Sequence, residues 1–490
     1  MLLAGVWAAA ERTEGQVTGR EAQPKLVQFS AVAFDSGERP VGDLTADEIQ
    51  IVDSGKPQKA AFFRHSDSKL QQAPPPEPGE FSNRAADNVP RATLILFDLL
   101  NESFETRGAA GNYLVQGLKT LETSDYLYLY ILAADTRLYP VAGLPGSVTD
   151  SLPPDDVPWT KNAKSLLDGV IGKVYSLRPF TLDIDARVRA TYRSLDSLAN
   201  LLAGIPGRKN IVWVTHGVPI ELGPAATVTD ETVDYTSLLR TLSVVMDRAN
   251  VAVYPVMQVT PGMAVPGTPE AQFSGLGSQE TLQQIADLTG GPTRSANSIG
   301  EVVRHAMNDV RTSYQVGYYP PAENWDGKFH KLRITCRRKG VRIQAKTGYY
   351  AWLDQANDEQ DALDAAVPPA FDASEIGLCG AISPGPAGAV RLSLRIDPAD
   401  LRIVQQGDRY AGHVDVQVVG YSGNEASQRS PLAALDLTWS ADELAAARKD
   451  GIRWNRDIQL LDSVNKVRLL VFDRESHAIG TLTMPVKPAK

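Results

Sequence analysis

Four oxygen-bearing side chains, Asp98, Asn101, Glu102 and Ser103, follow directly on the apolar run Thr93-Leu-Ile-Leu-Phe97. A short run this apolar reads as a strand buried on both faces, the middle of a parallel sheet. In open α/β sheets, ligands sit just beyond the carboxyl ends of such strands. The four residues therefore collect where an oxygen-loving cation or a partner protein would bind. The plainer reading is that Asp98 caps the following helix or bonds neighbouring backbone amides. His216, in Val214-Thr-His-Gly217 at the end of another predicted strand, falls near Asp98 in this layout. A His–Asp pair there would make a hydrolytic or metal site; simple packing is the alternative.

Other routes to catalysis are thin. His65, His216, His305, His330, His413 and His477 are scattered, with no His-Glu-x-x-His pair and no Gly-x-Ser-x-Gly elbow. The glycine-rich Phe273-Ser-Gly-Leu-Gly-Ser278 follows no core strand and precedes no lysine, so it reads as a surface loop. Cys336 and Cys379 form no metal motif and read as two buried thiols, with a single bridge as the alternative. Tyr318, Tyr319, Trp325, Tyr349 and Tyr350 read as cross-strand packing, against an exposed recognition patch.

The elements that position these residues follow from periodicity. Val27, Phe29, Ala31 and Ala33 alternate, as do Ile49 and Ile51, which predicts a small β module. Gln71-Gln-Ala-Pro-Pro-Pro-Glu-Pro-Gly79 reads as a stiff linker. Strands ending at Asp98, over 126–132, over 210–215 and over 251–256 then alternate with helices near 104–121, 186–203, 233–249 and 282–288. Thr136 to Val141 reads as an antiparallel neighbour, and a polar insertion with Pro153-Pro154 comes next. Ser298 and Glu301 make a capping box ahead of Ile299, Val302, Val303, Ala306, Met307 and Val310 at helical spacing. Such alternation predicts a doubly wound α/β domain, and the lack of a glycine-rich phosphate loop disfavours a dinucleotide fold. The pattern returns to β from Ser313 to Tyr350, and again over the last 115 or so residues, where alternating strands predict an antiparallel sandwich.

With 490 residues the chain needs several cores. Its net charge of −9 and absence of a basic patch argue against nucleic acid as a partner. No apolar run is long enough to span a bilayer. Met1-Leu-Leu-Ala-Gly-Val-Trp-Ala-Ala-Ala10 reads equally as the tail of a signal peptide or as a disordered N-terminus; a start codon assigned too late would reconcile the two.

Taken in order, several segments resemble the von Willebrand factor type A-related proteins abundant in Acidobacteria. These are Gly42-Asp-Leu-Thr-Ala-Asp-Glu-Ile-Gln-Ile-Val-Asp-Ser-Gly-Lys-Pro-Gln58, Phe81-Ser-Asn-Arg84, Phe97-Asp-Leu-Leu-Asn101, Gly204-Ile-Pro-Gly-Arg-Lys-Asn210, Tyr314-Gln-Val-Gly-Tyr-Tyr-Pro320, Trp325-Asp-Gly-Lys-Phe-His-Lys331 and Gly348-Tyr-Tyr-Ala351. The resemblance covers roughly residues 25–352. It implies a von Willebrand A-like (Rossmann-like) sheet flanked by β modules. It also implies a metal-ion-dependent adhesion site of the form Asp-x-Ser-x-Ser, completed by a later Thr and a later Asp, which holds Mg²⁺ through oxygen ligands. Here Asp98 matches the first Asp, but Leu100 and Glu102 replace the two serines, and His216 stands where the later Asp belongs. Thr181 and Thr191 are both candidates for the Thr. The implied site is degenerate, with Asp98, Asn101, Glu102 and Ser103 as its candidate metal ligands and Mg²⁺ as its candidate ion.

The domain reading is a signal-like or disordered segment over 1–22, an N-terminal β module over 23–70 and a proline-rich linker over 71–90. The von Willebrand A-like domain spans 91–312, a β ribbon packing with the N-terminal module spans 313–352, a linker 353–372 and a β-sandwich 373–490. The function expected is non-enzymatic: an extracytoplasmic, adhesion-like protein that binds another protein or a cell-surface polymer. The alternatives are a structural or assembly subunit without ligand binding, and a hydrolase using Asp98 and His216.

Overall fold

Burial of apolar runs, not helix periodicity, sets most of this structure. The computed structural model describes residues 27–65, 76–84, 92–102, 107–144, 157–175, 184–222 apart from 204 and 206, 232–257, 276–292, 299–352, and 363–486 apart from 365–366, 368–371, 374, 424 and 477. The N-terminal segment read as signal-like, along with Ser103, Thr181 and Ser298, lies outside these residues.

The expected doubly wound von Willebrand A-like layout is overturned. Strand accounts for 40% and helix for 30%, and five of the six sheets among the described residues are wholly antiparallel. The chain is a mixed, strand-rich assembly of small sheets. The physical reason lies in the strand next after helix Ile299–Arg311. A doubly wound sheet keeps adding parallel strands through crossovers. Here strand Ser313–Tyr318, expected to belong to a ribbon beside the N-terminal module, pairs antiparallel with Val27–Phe34, and the parallel sheet gains no strand from it.

Parallel pairing is confined to one five-stranded sheet. Its order is Val251–Met257, Lys209–Thr215, Thr93–Asp98, Leu127–Leu132 and Leu138–Ala142, the last strand antiparallel. Thr93–Asp98 lies at its centre and is buried throughout. Leu94, Leu96, Ile211 and Trp213 face helices Ile184–Ala203, Thr236–Arg248 and Leu276–Thr289. Ile95, Phe97, Val212 and Val214 face helices Arg107–Lys119, Ala163–Tyr175 and Ile299–Arg311. Helix Ala163–Tyr175 falls in the stretch that reads as a polar insertion, where Gly169 and Gly172 weaken the helical signal.

The amino-terminal end of this sheet is fixed to the antiparallel part by buried polar side chains. Arg208 donates to Asn210 Oδ1, Tyr254 Oη and the Gly290 carbonyl at 3.1, 3.1 and 2.9 Å. Tyr254 in turn donates to Asp309 at 2.5 Å, and Lys346 pairs with Asp247 at 2.7 Å. Arg208 and Asn210 thus serve as structural anchors.

Strands Val27–Phe34, Phe62–His65, Ser313–Tyr318 and Arg342–Ala345 form one antiparallel sheet, and Ile49–Asp53, Lys56–Gln58, Phe329–Cys336 and Gly348–Tyr350 form another. They share a core that includes Phe29, Ile51, Tyr314 and Leu332. At its centre Asp53, fully buried, accepts hydrogen bonds from Tyr318 and Tyr349 at 2.9 and 3.0 Å. Two of the aromatic residues considered for a recognition patch are therefore committed to the interior.

The C-terminal part packs strands Leu378–Pro384, Val390–Ile396 and Ile452–Ile458 against a larger antiparallel sheet built on Arg409–Ser422, Lys466–Asp473 and Ile479–Pro485. It also contains helix Ala441–Asp450, started by a capping box of Ser440 and Glu443. Two segments read as linkers contribute here. Phe81–Ser82 pairs with Leu378–Pro384, and Leu363 and Val367 pack on Tyr421, Leu470 and Phe472. Cys336 is half-buried and Cys379 buried, both as free thiols. Among the described residues no helix is long and apolar enough to cross a membrane.

Candidate functional site

Parallel pairing of Thr93–Asp98 with Lys209–Thr215 brings the two strand ends level, Phe97 opposite Val214. Alternation along the second strand turns Trp213 and Thr215 to the same face, and both reach Asp98. Oδ2 of Asp98 accepts from Thr215 Oγ1 at 2.7 Å, from Asn101 Nδ2 at 2.7 Å and from Trp213 Nε1 at 3.2 Å. Oδ1 accepts from the Asn101 backbone amide at 3.1 Å. Burial pushes the Asp98 carboxyl above its ordinary range, and these donors only partly offset that loss of hydration.

A second layer surrounds the carboxylate. Asn101 also donates to Thr191 Oγ1 at 2.8 Å, and Thr191 donates to the Arg187 carbonyl at 2.9 Å. Helix Ile184–Ala203 is thereby tied to the centre of the sheet. Thr215 Oγ1 accepts from the Gly217 amide at 2.9 Å. Gly217 holds φ at +91°, and a Cβ there would stand 3.0 Å from Ser278 Cβ, so glycine lets helix Leu276–Thr289 close over the strand end.

Glu102, 3% exposed, faces His216 rather than Asp98. The His216 Nε2 to Glu102 Oε2 distance is 3.0 Å, a close contact too poorly aligned for a hydrogen bond. The His216 side chain retains 15% exposure, whereas the Glu102 side chain is buried.

Of the four predicted site residues, Asp98, Asn101 and Glu102 are brought together and Ser103 lies outside the described residues. Of the two candidate threonines, Thr191 joins the cluster, and Thr181 lies outside the described residues. Sequence reasoning misses Trp213 and Thr215. A signal for them exists: both share a face of the strand predicted to run beside Asp98.

As arranged, this cluster does not fit Mg²⁺. A hard cation needs about six oxygens turned toward one point. Here the Thr215 hydroxyl points its proton at Asp98, the Thr191 hydroxyl is held by Asn101 and Arg187, and two N–H groups occupy Asp98 Oδ2. Among the described residues no group of three or more His, Cys, Asp or Glu side chains is placed to hold a metal ion. No protein-family model matches this chain, and it has no significant match among curated proteins.

Proposed function

We propose that the chain is a non-enzymatic interaction protein, acting outside the cytoplasm, that binds a protein or a cell-surface polymer. The contact surface is the rim at the carboxyl ends of the parallel strands, where His216 meets solvent. One observation carries this reading: the Asp98 carboxylate is consumed by four internal donors, while His216 beside it, in contact with the buried Glu102, keeps an edge exposed. Asp98 acts as a brace that sets the position of the rim. Placement outside the cytoplasm rests on the sequence of residues 1–10 alone.

The same saturation of Asp98 favours a second reading, an assembly subunit whose rim binds nothing. A hydrolase using Asp98 and His216 is disfavoured, because His216 lies against Glu102 while Asp98 accepts from Asn101, Trp213 and Thr215.

The test is affinity capture from an extracytoplasmic fraction, with wild-type and Glu102→Gln/His216→Ala baits side by side. A partner retained by the wild type and lost by the folded variant supports the rim. Identical captured sets from both baits support the assembly reading. Ester or phosphoester turnover abolished by His216→Ala would establish the hydrolase.

A further inference from the structure

The segment Glu77–Arg84 is held on the C-terminal sandwich chiefly by side chains. Its backbone ladder with Leu378–Pro384 is two residues long, Ser82 opposite Cys379 and Phe81 opposite Gly380. So short a ladder gives little affinity by itself. Recognition comes from the residues on either side.

Asn83 is buried and uses both ends of its amide. Nδ2 donates to the carbonyls of Ala373 and Ile376 at 2.8 and 2.9 Å, and Oδ1 accepts from the Leu378 amide at 2.8 Å. Its backbone amide donates to the Leu378 carbonyl at 3.1 Å. Arg84 enters an acidic pocket, with Nη2 2.8 Å from Asp400 and Nη1 3.7 Å from Asp397, each side chain no more than 10% exposed. A Cβ at Gly377 would stand 2.7 Å from the guanidinium, so the pocket is closed around it. Upstream, Glu80 pairs with Arg395 at 2.7 Å and Glu77 with Arg453 at 3.4 Å. Phe81, the large apolar residue of the segment, is left 41% exposed.

A strand that belongs to a sheet is held by a long ladder and an apolar face. This one is held by an Asn and an Arg in fitted pockets and by charges of both signs, the arrangement by which strand-addition sites select a peptide. We propose that the outer edge of Leu378–Pro384, with the Asp397/Asp400 pocket, is a sequence-selective peptide-binding site. Its ligand is an extended peptide with acidic residues three and six positions ahead of the Asn of an Asn-Arg pair, and the chain's own residues 77–84 occupy it. The site is separate from the Asp98 rim and does not depend on the function assigned there.

The test uses the full chain carrying Asn83→Ala and Arg84→Ala, titrated with a labelled, amidated peptide of residues 76–84. Saturable binding to the folded variant, weakened roughly tenfold or more when the peptide carries Arg84→Ala, is the expected result. A folded variant that binds neither peptide, or binds both equally, overturns the proposal. If the variant does not fold, hydrogen exchange of the wild type decides the matter. The site requires the amides of Asn83 and Leu378 to open well before those of Val467–Val471. Equal protection would show that the segment is a fixed part of the sandwich, with no site to exchange.

Discussion

The Thr215 hydroxyl donates to Asp98 Oδ2 across 2.7 Å, joining the ends of two adjacent parallel strands inside the protein. Trp213 and Asn101 donate to the same oxygen. Removing the carboxylate leaves several buried donors unsatisfied, at about 1–3 kcal/mol for each group that finds no other partner. Asp98→Ala is predicted to destabilise by roughly 3 kcal/mol. Asp98→Asn restores only part of the loss, since its carbonyl can accept in place of Oδ2 while its NH2 is turned toward the Asn101 backbone amide. Urea denaturation of the three proteins checks this; a change under about 0.5 kcal/mol for both variants, the range of a neutral surface substitution, would remove Asp98 from its role as a brace.

Gly217 combines a backbone conformation rare for L residues with a close approach to Ser278. Gly217→Ala is therefore predicted to cost about 1–3 kcal/mol. Loss of the Glu102–His216 pair without loss of the sheet should accompany it, read as faster hydrogen exchange at 216–218 with unchanged protection at 94–97.

Lys209 is buried, its ammonium donating to the Ile205 carbonyl at 2.7 Å, and burial pulls its pKa down to about 8, against the opposing pull of the Glu375 carboxylate. Below pH 8 both folded and unfolded chains hold this proton, and the folded state bears the full cost of the buried charge, about 3 kcal/mol. Between pH 8 and the ordinary value of 10.5 the unfolded chain binds a proton that the folded chain lacks. Stability contributed by this site therefore rises with pH across that window. Lys209→Met should abolish the rise in urea unfolding free energy measured from pH 7 to 10; an identical slope in both proteins would contradict the assignment.

Asp53 fastens the N-terminal antiparallel core by accepting from Tyr318 and Tyr349, with His330 Nδ1 3.4 Å from its other oxygen. Asp53→Ala strands two buried tyrosine hydroxyls and is predicted to cost about 2–4 kcal/mol. The triple variant Asp53→Ala/Tyr318→Phe/Tyr349→Phe should be milder than Asp53→Ala, because the donors and the acceptor that needs them vanish together. Thermal denaturation of the three proteins orders them; equal losses would refute the argument.

Local elements were legible where one principle dominated. The run Thr93–Phe97 ended in a strand at Asp98, and the apolar spacing from Ile299 to Val310 became a helix, Ile299–Arg311. The fold class was not legible. The sequence predicts a 313–352 ribbon beside the N-terminal module, but nothing in the alternation of Val27–Phe34 or Ser313–Tyr318 gives the strand order or register with which they pair across some 280 residues. Proline and glycine around Phe81–Arg84 read as linker, whereas fitted pockets for Asn83 and Arg84 override that composition. At the candidate site, Asp98, Asn101 and Glu102 were expected from position as metal ligands; Asn101 instead donates to Asp98, and Glu102 turns to His216. What could not be read was direction: the four donors turned onto Asp98, and the turning of His216 toward Glu102, exist only once the two strands lie side by side.

The most direct test of Asp98 as a brace rather than a metal ligand is calorimetric titration of Mg²⁺, Mn²⁺ and Ca²⁺ into the full chain and its Asp98→Ala variant, with unfolding of both followed in parallel. The predicted result is no saturable heat from the wild type for any of the three ions, and a less stable variant. Saturable binding by the wild type that disappears in a variant of unchanged stability would contradict the account and make Asp98 a ligand.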